Sequence, residues 1–422
     1  MQEYNTWIHD VCKEVRSMLN MAAEVSDEQV YRCIDQVILK DTEGVYMNIR
    51  QKTALREKVF NSLRRLDVLQ ELLDDEEITE IMINGYDCIF VEKGGSILKS
   101  EKRFENRERY EDIIQQVISK ANRVVNRSHP IVDARLEDGS RVNVIMDPIS
   151  LDGTSMTIRK FSDKRWNLNK LVELGTLDEV LIDYLKILVR AGYNIIVSGG
   201  TGSGKTTFLN LLSEFIPKEE RVITIEDSAE LNMRFLTNVV RLETRNANVE
   251  GGNQIEMKDL IKASLRQRPD RLIVGEVRGE EAFYMIHGAM NTGHDGSLST
   301  CHANSCQDTL SRLESMMLMA CEIPLSALRR QISSAIDIIV HLGRMRDKSR
   351  KVLEICEIVG TKEGEVVMNP LFRFEEQEEK EGRIVGQWRM EGKLLHREKL
   401  DLSGLERDMS ELEKSVTGAI GV

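Results

Sequence analysis

Aromatic side chains make up only 5% of the 422 residues, so few flat surfaces exist on which single-stranded nucleic-acid bases could stack. Positive charge is also in short supply: 58 Lys and Arg stand against 70 Asp and Glu, a net charge of −12. That balance excludes a general nucleic-acid coat and leaves room only for a local basic channel. No apolar run reaches the roughly 18 residues a membrane-spanning helix needs, and no basic-then-apolar leader opens the chain. Any membrane association is therefore expected through partners. The seven cysteines are scattered and never form C-x-x-C, which excludes a zinc ribbon and suits reduced thiols in a cytosol. What remains is 41% apolar and 30% charged, a globular composition with sizeable cores and length for two or three domains.

Residues 1–65 contain one glycine, Gly44, and no proline, and they read as helical. Val11, Val15, Met18 and Leu19 share one face, as do Val30, Ile34, Val37 and Ile38. From 66 to about 165 the texture is α+β. Ile78–Gly85 reads as a strand entering an Asn-Gly turn, Cys88–Glu92 as its hairpin partner, and Tyr110–Val125 as an amphipathic helix. Arg141–Ile145 and Ser155–Ile158 read as strands, and Asp163–Asn169 as a linker. From 170 to 345 short apolar strands alternate with helices, which implies a mostly parallel sheet. Beyond 346 lie a basic run, Arg344–Lys351, an acidic run, Glu375–Glu381, strands at Val352–Val359 and Gly386–Arg389, and a terminal helix at Leu402–Val416. That tail reads as an accessory β element or a mobile end.

The strongest chemical signal is Gly199-Gly200-Thr201-Gly202-Ser203-Gly204-Lys205-Thr206, followed by Thr207, which fits the phosphate-loop pattern G-x-x-x-x-G-K-[ST]. Asn194–Val197 before it is a β-branched apolar run. After it, Phe208, Leu211, Leu212 and Phe215 have helical spacing. The glycines allow the backbone to turn its N–H groups onto phosphate oxygens, and the helix directs its positive end at the same anion. Lys205 is expected at the β- and γ-phosphates and Thr206 on Mg²⁺.

Three further stretches end strands with polar chemistry: Ile223–Leu231 with Glu226 and Glu230, Arg271–Gly279 with Glu276, and Thr292–Asn304 with His294 and His302. In open α/β sheets ligands bind at such strand ends. His294 and His302 flank Cys301 but lack a further ligand at the usual zinc spacing.

These four stretches resemble the Walker A, Asp box, Walker B and His box of the secretion ATPase superfamily. Glu77–Gly85 and Asp138–Val142 resemble its N-terminal domain. The helical start and the tail after 345 resemble the CpaF/TadA branch, which powers Flp-type tight-adherence pili, and the absence of a four-cysteine metal motif agrees with that branch. The resemblance implies a RecA-like P-loop domain preceded by a small α+β, PAS-like domain and a helical N-terminal region. It implies ATP and Mg²⁺ as cofactors, a homo-hexamer with nucleotide between the two domains, and inner-membrane platform proteins as partners. The expected place is the cytoplasmic face of the cell membrane, with no direct nucleic-acid partner.

On this reading Glu276 orients or deprotonates the attacking water, and Glu226 is the second acid. Gly275 stands where many P-loop enzymes carry a metal-binding Asp, so Glu276 and Glu230 are expected to reach the metal only through water. One or both of His294 and His302 sense the γ-phosphate. Arg135 and Arg141, with Arg159 in reserve, supply the cation that phosphoryl transfer needs beyond Lys205 and Mg²⁺. The alternatives are a traffic ATPase of type IV secretion and an ATP-binding regulator that does not hydrolyse.

Overall fold

The computed structural model describes residues 2–19, 25–41, 48–121, 123–136, 138–161, 168–233, 235–245 and 254–419. Two compact units share the chain, 1–163 and 164–422.

The first unit opens with three helices, α1 (Gln2–Met18), α2 (Asp27–Asp41) and α3 (Ile49–Arg64). Val11, Val15, Val30, Ile34, Val37 and Ile38, the stripes visible in the sequence, meet Leu55, Val59 and Phe60 in one apolar core. After α4 (Val68–Asp74) come β1 (Ile78–Asn84), β2 (Ile89–Lys93), β3 (Ser96–Lys99), α5 (Arg107–Lys120), β4 (Ile131–Arg135), β5 (Arg141–Ile145) and β6 (Ser155–Arg159). They form a six-stranded sheet in the order β3-β2-β1-β6-β5-β4, antiparallel throughout. Gly85 turns the β1–β2 hairpin at φ +84°, a conformation glycine adopts without steric cost.

Two strands exceed the sequence reading. β3 is short and largely exposed. β4 exposes Ile131 as well as Asp133 and buries only Val132, so its five residues show no clear apolar–polar alternation. The helix read at Tyr110–Val125 starts earlier because Asn106 caps it, accepting from the Arg109 N–H at 2.8 Å. Of the expected linker, 163–167 lies outside the described residues, and Leu168–Glu173 is helical.

The second unit runs α6 (Leu168–Glu173), α7 (Glu179–Arg190), β7 (Ile195–Gly199), α8 (Lys205–Ser213), β8 (Val222–Glu226), β9 (Val239–Glu243), α9 (Met257–Ser264), β10 (Arg271–Val277) and α10 (Glu281–Phe283), which passes into a π-helical stretch, Tyr284–Met290. Then come β11 (Leu298–His302), α11 (Cys306–Ala320), α12 (Leu325–Ala335), β12 (Ile338–Arg344), β13 (Arg350–Lys362), β14 (Glu365–Lys380), β15 (Arg383–Met390), α13 (Glu398–Ser403) and α14 (Glu406–Ala419). The sheet order is β15-β14-β13-β12-β7-β11-β10-β8-β9. From β12 to β9 every pairing is parallel. That order, with the phosphate-loop strand between β11 and β12, is the expected RecA-like arrangement.

β7 and β8 are buried at every residue, as parallel strands covered on both faces must be. Ile195 and Val197 face a core with Tyr184, Leu188 and Leu212, while Ile196 faces one with Ile261, Ile286 and Leu313.

The tail continues this sheet rather than trailing from it. β12 pairs antiparallel with β13, β13 with β14 and β14 with β15. Leu400, Leu405 and Met409 join the α7 side of the core. The acidic run hid β14, whose Glu376 and Glu379 pair with Arg346. Gly404, at φ +71°, ends α13, so the terminal helix begins at Glu406 rather than Leu402.

Candidate functional site

β7 delivers the chain to its end at Gly199, where His302 of β11 pairs on one side and Leu342 of β12 on the other. The backbone then turns through residues 200–204 into α8. Gly199 has no substitute here: at φ +155° an added Cβ would lie 2.5 Å from both the Leu342 carbonyl oxygen and the Ser203 Oγ. Gly204 caps α8 at φ +93° and provides no side-chain acceptor. The first N–H groups of α8 are thereby left for an anion. Thr206 and Thr207 stand half-buried in that first turn.

Lys205 is buried and donates to the carbonyls of Gly199 and Gly200 at 3.1 and 3.0 Å. Its Nζ also lies 3.2 Å from the His302 Nδ1. His302 Nε2 is in turn 3.0 Å from the Glu276 Oε1, a close electrostatic contact rather than an aligned hydrogen bond. The other Glu276 oxygen accepts from Arg278 at 2.6 Å, and Arg278 lies 3.6 Å from Asp227. Three strand ends thus join phosphate-loop lysine, histidine and acid in one chain. Burial, reinforced by Lys205, Arg278 and Arg312 and opposed by Glu276, pushes the His302 pKa below the usual value, so the ring is neutral near pH 7.

Glu226 ends β8 and is only 3% exposed. Its Oε1 accepts from the N–H groups of Glu230 and Leu231 at 2.8 and 2.9 Å, while Oε2 is buried without a partner. Burial pushes its pKa up to about 7 against the pull of those two bonds. Gly275 lies across the sheet. A Cβ added there would sit 3.1 Å from the Glu226 Cγ, so the glycine before Glu276 makes room for Glu226. Among the described residues Glu226, Glu230 and Glu276 do not gather their oxygens within 4.8 Å of one another, but with Thr206 each would offer a metal only oxygen, the chemistry that suits Mg²⁺.

His294 is not part of this cluster. It precedes β11, its Nδ1 lies 3.3 Å from the Thr292 Oγ1, and Ser297 in the same loop donates its N–H to the Asn194 side chain just before β7. That is the opposite end of the sheet from Gly199, separated by the five-residue length of β7 at roughly 3.3 Å per residue. In the first unit Arg135, Arg141 and Arg159 fall in one row across β4, β5 and β6, in register with each other. Arg135 also donates to the Gly139 carbonyl at 2.9 Å, closing the turn. Glu137 of that turn lies outside the described residues.

Sequence reasoning missed three contributors. His341 on β12 is buried and places Nδ1 3.0 Å from the Ser198 hydroxyl on the phosphate-loop strand. Arg350 donates to the Gly202 carbonyl at 2.8 Å, and Arg344 pairs with it in register. The signal for the arginines was present in the basic run; their destination required the β12–β13 hairpin. Elsewhere Cys306, Glu354 and Cys356 bring ligand-type atoms within 4.8 Å of one another. Glu354 is already paired with Arg373 at 3.0 Å, and the bond to Cys356 together with burial holds the Cys306 thiol well above its usual pKa. Cys306 is thus held as a thiol, in a polar cluster whose Glu354 is only half-buried.

Residues 63–386 match the family model described as type II/IV secretion system protein. The chain is 32% identical over 317 residues to the type IV secretion system protein PtlH of Bordetella pertussis, covering 69% of this chain and 93% of that one. It is 30% identical over 295 residues to a putative conjugal transfer protein of Mycobacterium tuberculosis, covering 68% and 83%. The VirB11 ATPase of the Brucella suis type IV secretion system, solved with sulphate, aligns at 28% identity over 68% of this chain and 94% of that one, with a TM-score of 0.38. With a phosphate loop, acid-tipped strands in the same sheet and a match over most of its length, the chain belongs to the type II/IV secretion system protein family.

Proposed function

We propose that this chain hydrolyses ATP and spends the energy on moving other proteins, as a motor of pilus assembly or secretion of the CpaF/TadA kind. The observation that carries the reading is the Lys205–His302–Glu276 chain, which links the group that holds transferring phosphate to the group that activates water. Lys205 leaves the loop carbonyls to engage the β- and γ-phosphates. Thr206 would hold Mg²⁺, with Glu276 and Glu230 on its water shell, and the ion would supply charge neutralisation there. Glu276 orients the attacking water and takes its proton, and Arg278 on its other oxygen fixes the carboxylate in place. Arg135 and Arg141 provide the further cation. The working particle is a homo-hexamer docked on inner-membrane platform proteins at the cytoplasmic face.

A Glu276→Gln protein tests this. It should keep nucleotide affinity and lose phosphate release by about 10²-fold or more, the scale of a lost general base. Wild-type turnover in that variant, or no phosphate release from the parent protein, would sink the reading.

A second reading, a traffic ATPase of type IV secretion, is favoured by the relatives at 30–32% identity, a putative conjugal transfer protein and a type IV secretion system protein. Neighbouring genes decide between them: pilin, prepilin peptidase and platform genes for the first, conjugation genes for the second.

A further inference from the structure

The phosphate loop has two flanks, and the groups on them differ in kind. On the β11 side stand His302 and, on the next strand, Glu276. On the β12 side the strand outruns β7: Leu342 pairs with Gly199, and Gly343 and Arg344 continue alongside the loop. The chain then turns at residues 345–349 and returns with Arg350 directly opposite Arg344. Arg350 donates Nε to the Gly202 carbonyl at 2.8 Å, and its Cδ would be 3.3 Å from a Cβ at Gly204. Arg344 Nη1 would be 3.9 Å from a Cβ at Gly202. Two guanidinium groups therefore border the turn that receives phosphate.

The hairpin is fixed before any ligand arrives. Asp347 accepts from the Ser349 N–H and hydroxyl at 2.9 and 2.6 Å and from the Ile384 N–H at 2.8 Å. Arg346 is held by Glu376 at 2.7 Å and Glu379 at 3.1 Å. Next to Arg350, Lys351 is buried and donates to the Gly175 carbonyl at 2.9 Å. An arginine on so fixed an element loses little freedom on binding. Like charges directly opposite on paired strands repel, and a phosphate oxyanion is a charge both can share, with fork geometry that suits it.

We propose that Arg344 and Arg350 bind the nucleoside-side phosphates, α and β, of the nucleotide. The assignment rests on the ATPase reading above. The γ-phosphate must lie beside Glu276 for water to reach it, so the rest of the polyphosphate extends over the opposite flank, where the hairpin stands. Charge on that flank acts alike on ATP and ADP. The pair therefore governs affinity and leaves the transition state to Glu276 and the first-unit arginines.

Titration of the full chain with a fluorescent ADP in Mg²⁺, with inorganic pyrophosphate as competitor, tests this. Arg344→Ala and Arg350→Gln should each weaken ADP by about 10-fold, the scale of one charge-assisted bond, and weaken pyrophosphate in parallel. At saturating ATP their kcat should stay within about twofold of the parent, because ground state and transition state lose equally. Arg389→Ala, an exposed arginine on β15 paired with Glu375 and two strands away from β13, should change neither quantity. Unaltered ADP affinity in a folded Arg344→Ala, Arg350→Gln double variant overturns the assignment while leaving the ATPase reading intact. A fall in kcat with unchanged ADP affinity overturns it as well, making the pair transition-state groups. Failure of the parent protein to bind ADP at all would remove the ATPase reading and this inference together.

Discussion

Lys205 Nζ and His302 Nδ1 approach to 3.2 Å, and the pairing has only one polarity. An ammonium has three donors and no acceptor, so Nδ1 must accept. A neutral ring then carries its proton on Nε2, the nitrogen 3.0 Å from Glu276. The tautomer of His302 is thus set by the phosphate-loop lysine, which places the ring proton on the nitrogen nearer Glu276. On the proposed reaction, a γ-phosphate that draws Lys205 off the loop would end the ring's acceptor role, and Glu276 would be the next group to experience that change.

His302→Ala should therefore lower kcat by about 10-fold or more, about 1.4 kcal/mol or more, while ADP affinity stays within about threefold. His294→Ala should leave both unchanged, because His294 lies at the far end of the sheet. Equal losses from the two variants would remove His302 from its special place.

The row Arg135–Arg141–Arg159 makes a different prediction. If it supplies the cation at the transferring phosphoryl group, Arg141→Ala should depress kcat by roughly 10- to 100-fold, or about 1.4–2.7 kcal/mol, with ADP affinity nearly intact. Unchanged kcat in Arg135→Ala, Arg141→Ala and the double variant would leave Arg159 as the remaining candidate. This pattern is the inverse of the one expected of Arg344 and Arg350.

Glu226 should write itself into the pH dependence of stability. Burial raises its pKa to about 7 from 4.5, so between those values the folded protein binds more protons than the unfolded one. The sign follows: stability is highest with Glu226 protonated and falls as pH rises through the folded pKa. The full penalty is about 3 kcal/mol at most. Glu226→Gln keeps an oxygen for the Glu230 and Leu231 N–H groups and removes the titration. Urea unfolding at pH 5 and pH 8 should show the parent losing more stability than the variant across that interval. Parallel losses would show that Glu226 stays ionised in the fold.

The sequence showed the parts of this site whose geometry is local. A phosphate loop is a strand, a turn and a helix in one run, so Gly199 to Thr206 declares itself. Glu226 and Glu276 end apolar strands, which is legible without knowing which strands adjoin. Position relative to a strand decides the histidines. His294 and His302 sit in one motif, yet β11 runs between them and sends them to opposite edges of the sheet. Arg344 and Arg350 read only as part of a basic run because it takes the antiparallel register of β12 and β13 to return them to the loop. β14 was invisible for a compositional reason: acids that contradict strand propensity are tolerated there because Arg346 and Arg389 lie within reach.

The last prediction concerns Gly275, whose place before Glu276 looks like the loss of a metal ligand. Its neighbour gives another reason for it. A Cβ at 275 would come within 3.1 Å of the Glu226 Cγ, and Glu226 is buried with its Oε1 held by two backbone N–H groups. It cannot swing away without leaving those donors unsatisfied. Gly275→Ala should thus cost about 1–3 kcal/mol, the usual cost of overpacking, and should lower phosphate release by displacing the Glu276 backbone. In a Glu226→Ala background the space is open, so the same substitution should cost at least about 1 kcal/mol less. Chemical denaturation of the four proteins closes this cycle. Additive costs would mean that the two residues do not compete for space, and Gly275 would then need a reason of its own, such as close approach of a ligand to the backbone.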